Sequence, residues 1–324
     1  MKFKIGFENK DKKKLFSLWD DIIKNNVWSH GKYVKRFEEK WSIHNSLNSL
    51  SFSSWAGAAQ SVIEFYNLKN KTILCPSNTF IATPMISKKM GCNVKFVDCN
   101  KYDLCISFED LKKKVKKYKP KAIWVVHIGG HISFEILKIS KFCKKNNIIL
   151  IEDCAHAHGA SFNKLKPGQW GDAGIYSLYA TKTITTGEGG ILVSKHKQLI
   201  KFAEQFRNYG KPNYKYLGLN YRMNEFSAAL GCIQIDRLKN IVEWKNNYAS
   251  KKLDKLYLDR IRFPENMISG YYKYIVFEKI KNSTGKVYDK GCHKIFNDKV
   301  SLPNTEWVSK NHWCAPIYYK EKKI

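Results

Sequence analysis

With 324 residues, 44% of them apolar and 14% aromatic, the chain has the material for a large folded core and is not a disordered protein. Its formal net charge is +29, but the excess rests on lysines spread through helix-like patterns rather than on clustered arginines, which argues against a nucleic-acid binder. Two sources of that charge stay open: a compositional bias, and attraction of an acidic small substrate.

No stretch approaches the roughly 18 apolar residues of a membrane-spanning helix. The opening "MKFKIGFENKDKKKLF" carries charge where a signal peptide needs an apolar run, so secretion is not expected. The nine cysteines contain no CxxC pair. Cys75, Cys92, Cys99, Cys143 and Cys154 sit in apolar surroundings, where free cysteine behaves as a small hydrophobe. A reducing cytoplasm is the compartment this usage fits.

Residues 12–26 place Leu15, Phe16, Leu18, Trp19, Ile22 and Ile23 at helical spacing, and the loop "NVWSHGKYV" and a short helix follow. From about residue 52 helices and strands alternate. A helix near 56–67 leads to the strand "KTILC", and a helix near 80–89 leads to "NVKFVD". The charged helix "FEDLKKKVKKY" precedes "KAIWVVH", and "FEILKISKFCKKN" precedes "NIILIED". Short β-branched runs separated by helices predict a mostly parallel α/β sheet. The strands "AGIYSLY" and "GGILVS" come next, then helices near 197–207 and 223–256. After about residue 257 the rhythm stops, with Pro264, Pro303 and Pro316 in irregular segments. The expected division is a large domain over residues 1–245 and a smaller α+β domain over 246–324.

One lysine stands apart from the helix-surface majority. In "YSLYATKTITTGEGG", Lys182 has Ala180, Thr181, Thr183 and Ile184 beside it and Gly187, Gly189 and Gly190 downstream. Small neighbours allow close backbone approach, which suits covalent chemistry, although an ordinary loop lysine would read the same way. Asp153 ends the strand "NIILIED", and open parallel sheets bind ligands at the carboxyl ends of their strands. One loop and one strand separate it from Lys182, so both can reach the same sheet edge. A carboxylate and an isolated lysine at one edge are what pyridoxal phosphate requires: the lysine forms the Schiff base, and the carboxylate keeps the pyridine nitrogen protonated. The residues alone leave two other readings open. Asp153 could be a turn or helix-cap residue, or it could join His156, His158, His127 and His131 around a metal, although no ligand set closes by spacing.

The stretch "IEDCAHAHGA…GDAGIYSLYATKTITTGEGGILVS" resembles the DegT/StrS family of nucleotide-sugar aminotransferases, which are pyridoxal-phosphate enzymes of aminotransferase fold type I. "NVWSHGKYVKRFEEKW", "PSNTFIATPMISKKMGCNVKFVDCN", "FRNYG" and "GLNYRMNEFSAALGCIQIDRL" are similar to further family motifs, in the family's order, over residues 12–250. The resemblance implies Lys182 as the cofactor-bearing lysine and Asp153 as the partner of the pyridine nitrogen. His156 would lie near the cofactor's phenolic oxygen, and Phe80 would stack on its ring. Ser177 would reach the phosphate, and Asn220 would be offered to it by the neighbouring subunit of a homodimer. It further implies transfer of an amino group, with glutamate as donor, to a keto group of a nucleotide-linked deoxysugar, in deoxyaminosugar, lipopolysaccharide or O-antigen biosynthesis.

The chain departs from the family at two points: it stops at "APIYYKEKKI", where the family usually continues into a further helix, so that the resemblance implies a shortened small domain, and one motif differs. "SFSSWAGAAQSV" puts Trp55 and Ala56 where a Gly-Thr pair usually opens the first core helix. The amides there still suit a phosphate, with Ser53 or Ser54 as a source of a hydroxyl. Two rivals share the fold. One is a sugar dehydratase, in which the lysine is commonly replaced by histidine, so that Lys182 favours transamination; the other is a catalytically silent homologue.

Overall fold

The computed structural model describes residues 5–320. Helices α1 (Asn9–Asn25) and α2 (Lys32–Asn45) lead into β1 (Asn48–Phe52) and α3 (Trp55–Phe65). Then come β2 (Thr72–Pro76), α4 (Ala82–Lys89), β3 (Asn93–Val97), α5 (Phe108–Tyr118), β4 (Ala122–Val126), α6 (Ile136–Lys145) and β5 (Ile149–Asp153). The short β6 (Ser161–Phe162) is followed by β7 (Ala173–Ser177), β8 (Gly190–Ser194), α7 (Lys197–Phe206) and the long α8 (Glu225–Tyr248).

Seven of these strands form one sheet in the order β1-β8-β7-β5-β4-β2-β3. The neighbours from β7 through β5, β4 and β2 to β3 are parallel, while β8 runs antiparallel to both β7 and β1. A single reversed strand therefore leaves β1, β2, β4, β5 and β7 pointing their carboxyl ends to the same edge. All residues of β4 and β7 are buried, as expected where helices cover both faces of a sheet. Phe37 and Trp41 of α2 and Leu238 and Ile241 of α8 pack into the cluster that covers one face. Val62 and Ile63 of α3 pack against Ile73, Ile151 and Leu192 on the other.

Strand β1 is polar by composition, "NSLSF", and is not visible in the hydrophobic pattern. Its buried polar groups are met from outside the strand. Ser51 Oγ donates to Glu38 Oε1 at 2.7 Å, and Arg207 Nη1 donates to the same carboxylate oxygen at 2.6 Å and to Ser51 O at 2.5 Å. With those bonds made, burial of Ser51 carries no desolvation penalty for an unmet group.

Beyond α8 a wider turn, Ala249–Leu253, continues the helix into the short α9 (Asp254–Leu256). The tail then holds β9 (Met267–Ile268), β10 (Tyr274–Val276), α10 (Cys292–Ile295), α11 (Pro303–Lys310) and β11 (Trp313–Ala315). β9 pairs with β6, and β10 with β11. The tail is laced to the sheet layer by Gly270 N–H to Gly130 O at 2.7 Å, Cys292 N–H to Ser77 O at 2.8 Å and Thr305 N–H to Asp98 Oδ1 at 2.7 Å. The nine cysteines are all buried and unpaired with one another. No helix among the described residues is long and apolar enough to cross a membrane.

Gly190, the first residue of β8, touches the start of α3: a Cβ there would lie 2.5 Å from Ser54 O and 2.7 Å from Trp55 N. Both contacts are backbone, so the helix terminus would have to move. Gly190→Ala is expected to destabilise the fold by about 1–3 kcal/mol, read as a lower midpoint in urea unfolding. An unchanged midpoint would show that α3 is not held by this contact.

Candidate active site

The parallel strand ends at the common edge frame a cavity of about 640 Å³. Ser54 to Ala56 follow β1, Thr79 to Ala82 follow β2, Asp153 to His156 continue β5, and Ser177 to Lys182 continue β7. Tyr272, Lys273 and Lys286 to Lys290 of the tail close it from above. The topology thus brings Lys182, Asp153, His156, Phe80, Ser177, Trp55 and Ala56 together.

Asp153 is 5% exposed. Its Oδ2 accepts from Thr83 Oγ1 at 2.8 Å and its Oδ1 from Ala155 N–H at 3.0 Å. Burial raises its pKa, opposed by those two bonds and by the charge of Lys182. Lys182 is half-buried, with Nζ 4.9 Å above the Tyr272 ring. Burial lowers its pKa to about 8, opposed by Asp153 and assisted by the like charge of Lys273. A lysine with that pKa is uncharged near neutrality more often than an ordinary lysine, which suits a nucleophile.

His156 is buried, accepts Gly129 N–H on Nδ1 at 3.4 Å and stacks on Tyr272 with ring centres 4.2 Å apart. Burial holds its pKa well below the usual imidazole value, so it is a neutral hydrogen-bonding group. Phe80 is 60% exposed and lines the cavity. It is thus an accessible aromatic face and not a core side chain. Ser177 Oγ accepts Tyr179 N–H at 3.3 Å at the cavity wall.

Ser54 caps α3 by accepting Gly57 N–H at 3.2 Å. The amides of Trp55 and Ala56 fall in the first turn, where a helix supplies no acceptor. The Trp55 side chain turns away from the cavity into the core, 5.7 Å from Trp124. Asn220 lies elsewhere, on an exposed loop where its Oδ1 accepts Arg222 N–H at 3.3 Å. It does not line the cavity of its own chain.

The metal alternative fails on geometry. His127 Nε2 meets Glu152 Oε2 at 2.9 Å, its Nδ1 accepts Ser133 N–H, and His131 Nε2 meets Asp103 O at 3.0 Å. The five residues considered from sequence do not converge; among the described residues the cluster with ligand-like spacing is His127, Glu152 and Cys154. There the Glu152 carboxylate already accepts N–H groups of Gly168, Trp170 and Gly171. It is a loop clasp with its acceptors in use.

Sequence reasoning missed Thr83, Tyr272, Lys273 and Tyr288, all of which line the cavity or hold Asp153. Thr83 lies three residues after Phe80, one helical turn on, and that spacing could have pointed to it. The others sit in the irregular tail, which carries no periodic signal.

The family model described as the DegT/DnrJ/EryC1/StrS aminotransferase family matches residues 9–284. The chain belongs to this family. Among curated relatives, it is 31% identical to a GDP-perosamine synthase of Vibrio cholerae over 71% of this chain and 64% of that protein. It is 30% identical to a UDP-4-amino-4,6-dideoxy-N-acetyl-beta-L-altrosamine transaminase of Campylobacter jejuni over 82% of this chain and 70% of that protein. The match to the Vibrio protein thus spans under two thirds of its length. Among solved structures, Helicobacter pylori PseC, an aminotransferase of pseudoaminic acid biosynthesis, superposes with a TM-score of 0.84 at 23% identity, over 98% of this chain and 93% of that one. At that identity the likeness establishes the fold.

Lys182 should behave differently from surface lysines in the cofactor-free protein. Because its pKa is lowered to about 8, trinitrobenzenesulfonate should label it about half-maximally near pH 8, below the usual lysine range. Asp153→Asn removes the negative charge that raises that pKa, so the labelling midpoint should move to lower pH. Peptide mass spectrometry across pH reads both, and a midpoint near that of exposed lysines would contradict the geometry.

Proposed function

We propose that the chain is a pyridoxal-phosphate-dependent aminotransferase that moves an amino group, from glutamate, to a keto group of a nucleotide-linked deoxysugar. The observation that carries this reading is the convergence of a depressed-pKa lysine, a buried carboxylate, an exposed aromatic face and a helix N-terminus in one cavity. Each of these fits one part of the cofactor. Lys182 would hold its aldehyde carbon, Asp153 its pyridine nitrogen, Phe80 a ring face and His156 its phenolic oxygen. Ser177 and the amides of Trp55 and Ala56 would hold the phosphate. The names of the Vibrio and Campylobacter relatives support a nucleotide-sugar substrate.

When bound, pyridoxal phosphate supplies a protonated ring that draws electron density from the donor's α-carbon. Asp153 keeps the proton on the pyridine nitrogen. Its carboxylate is positioned by Thr83 and Ala155, so it would hold that proton without reorganising as electron density moves into the ring. Lys182 Nζ, with its lowered pKa, would be the base that takes the proton from the donor's α-carbon and holds it within the cavity. The same amine would carry the proton again when the keto-sugar is the substrate. Tyr272 and Tyr288 of the tail roof the cavity and exclude water from these transfers. The retained lysine separates this reading from a dehydratase.

We also place the protein in the cytoplasm as a homodimer, and keep residues 1–245 and 246–324 as its two domains. Support for the dimer is the exposed loop carrying Asn220, together with Tyr214, Leu217 and Leu219, which are 65%, 96% and 55% exposed.

Two experiments test the proposal. Borohydride reduction of the protein loaded with pyridoxal phosphate should leave the pyridoxyl label on Lys182, and Lys182→Ala should lose turnover; a label on another lysine defeats the assignment. For shared sites, Lys182→Ala and Asn220→Asp chains, each inactive, are mixed after subunit exchange is verified. A mixed dimer then has one site free of both lesions, and partial recovery of activity is expected. No recovery would mean that each site is built within one chain.

A further inference from the structure

Behind Tyr272 lies a second cavity, of about 280 Å³. It shares Thr181, Lys182, Tyr272 and Lys273 with the first, so the two chambers meet at the reactive amine. Tyr272 is the partition between them, fixed by its hydroxyl 3.1 Å from Thr181 Oγ1 and by its stack on His156.

The second chamber is lined by amines without acids. Lys182, Lys245 and Lys273 line it, and no aspartate or glutamate does among the described residues. Lys245, in the last turn of α8, is 7% exposed. Its Nζ donates to Tyr271 O at 2.8 Å, and no carboxylate forms an ion pair with it among the described residues. Burial lowers its pKa to about 7, and Lys273 pushes it further in the same direction. A lysine buried without a carboxylate relieves the cost by losing its proton, and an anion entering the chamber would restore its charge. Fastening the Tyr271 carbonyl would need only a hydrogen-bond donor. It does not account for a cavity with three lysines around it.

We propose that this chamber is a carboxylate subsite, in which Lys245 and Lys273 hold a carboxylate of the small dicarboxylic amino donor while its amine end reaches Lys182. The identity of that ligand rests on the aminotransferase reading; the existence of the anion site does not. Thr284, half-exposed, lines this chamber and not the first, and sets the chamber's outer wall. The site therefore has a residue through which it can be altered without touching the cavity of Asp153 and Phe80.

The probe is glutarate, which has two carboxylates and no amine, titrated calorimetrically into the purified full chain, with neutral glutaramide as control. Glutarate should bind and glutaramide should not. Lys245→Gln and Thr284→Glu should each weaken glutarate at least tenfold, the first by removing a cation and the second by placing a carboxylate in the chamber. If Lys245→Gln does not fold, Thr284→Glu decides. Equal affinity for glutarate and glutaramide overturns the proposal, as does glutarate affinity unchanged by Thr284→Glu. Glutarate binding without amino transfer from glutamate leaves the subsite standing and removes the aminotransferase reading. Amino transfer from glutamate without glutarate affinity does the reverse.

Discussion

The site depends on a buried carboxylate and a half-buried amine at one sheet edge. Taken alone, burial would neutralise both Asp153 and Lys182, raising the pKa of the acid and lowering that of the amine. Each opposes the shift of the other, so the pair is poised and not merely suppressed. That balance exists because β5 and β7 are parallel neighbours, which delivers both residues to the same edge. It also requires Thr83 and Ala155 to donate to the carboxylate, which ties α4 and the turn after β5 to the same point. The charges set the chemistry, and the topology sets the charges.

The tail packs against this pair. The Tyr272 ring faces the Lys182 amine and stacks on His156, and Tyr288 lies 5.9 Å from the same imidazole, ring centre to ring centre. An irregular segment of short strands and helices therefore supplies the roof of the cavity, the partition behind it and the cation, Lys273, that tunes two lysines. The bonds from Gly270, Cys292 and Thr305 to the sheet layer fix the roof in register with the strand ends.

Much of this was legible in the sequence. The β-branched runs between helical patterns predicted a mostly parallel sheet, and Lys182 stood out because its neighbours are small where other lysines sit among charges. What was not legible has physical reasons. β1 hides because its serines are satisfied by Glu38 and Arg207, residues remote in sequence. Trp55 suggested an altered phosphate contact, but its indole packs beside Trp124, leaving the backbone in place. Lys245 looks like any other lysine of a long helix; only the packing of the tail over α8 buries it. Tyr272 belongs to a run of tyrosines with no period, and its place follows from the fold alone.

The most direct test follows the nitrogen atom. The purified chain, supplied with pyridoxal phosphate, nitrogen-15 glutamate and a panel of nucleotide-linked keto-deoxysugars, is analysed by mass spectrometry for labelled amino-sugar nucleotide. The account predicts label in one such product, absent with Lys182→Ala. A folded, cofactor-loaded protein that transfers label to none of the sugars, or a Lys182→Ala chain that transfers it as well as the unaltered one, would contradict it.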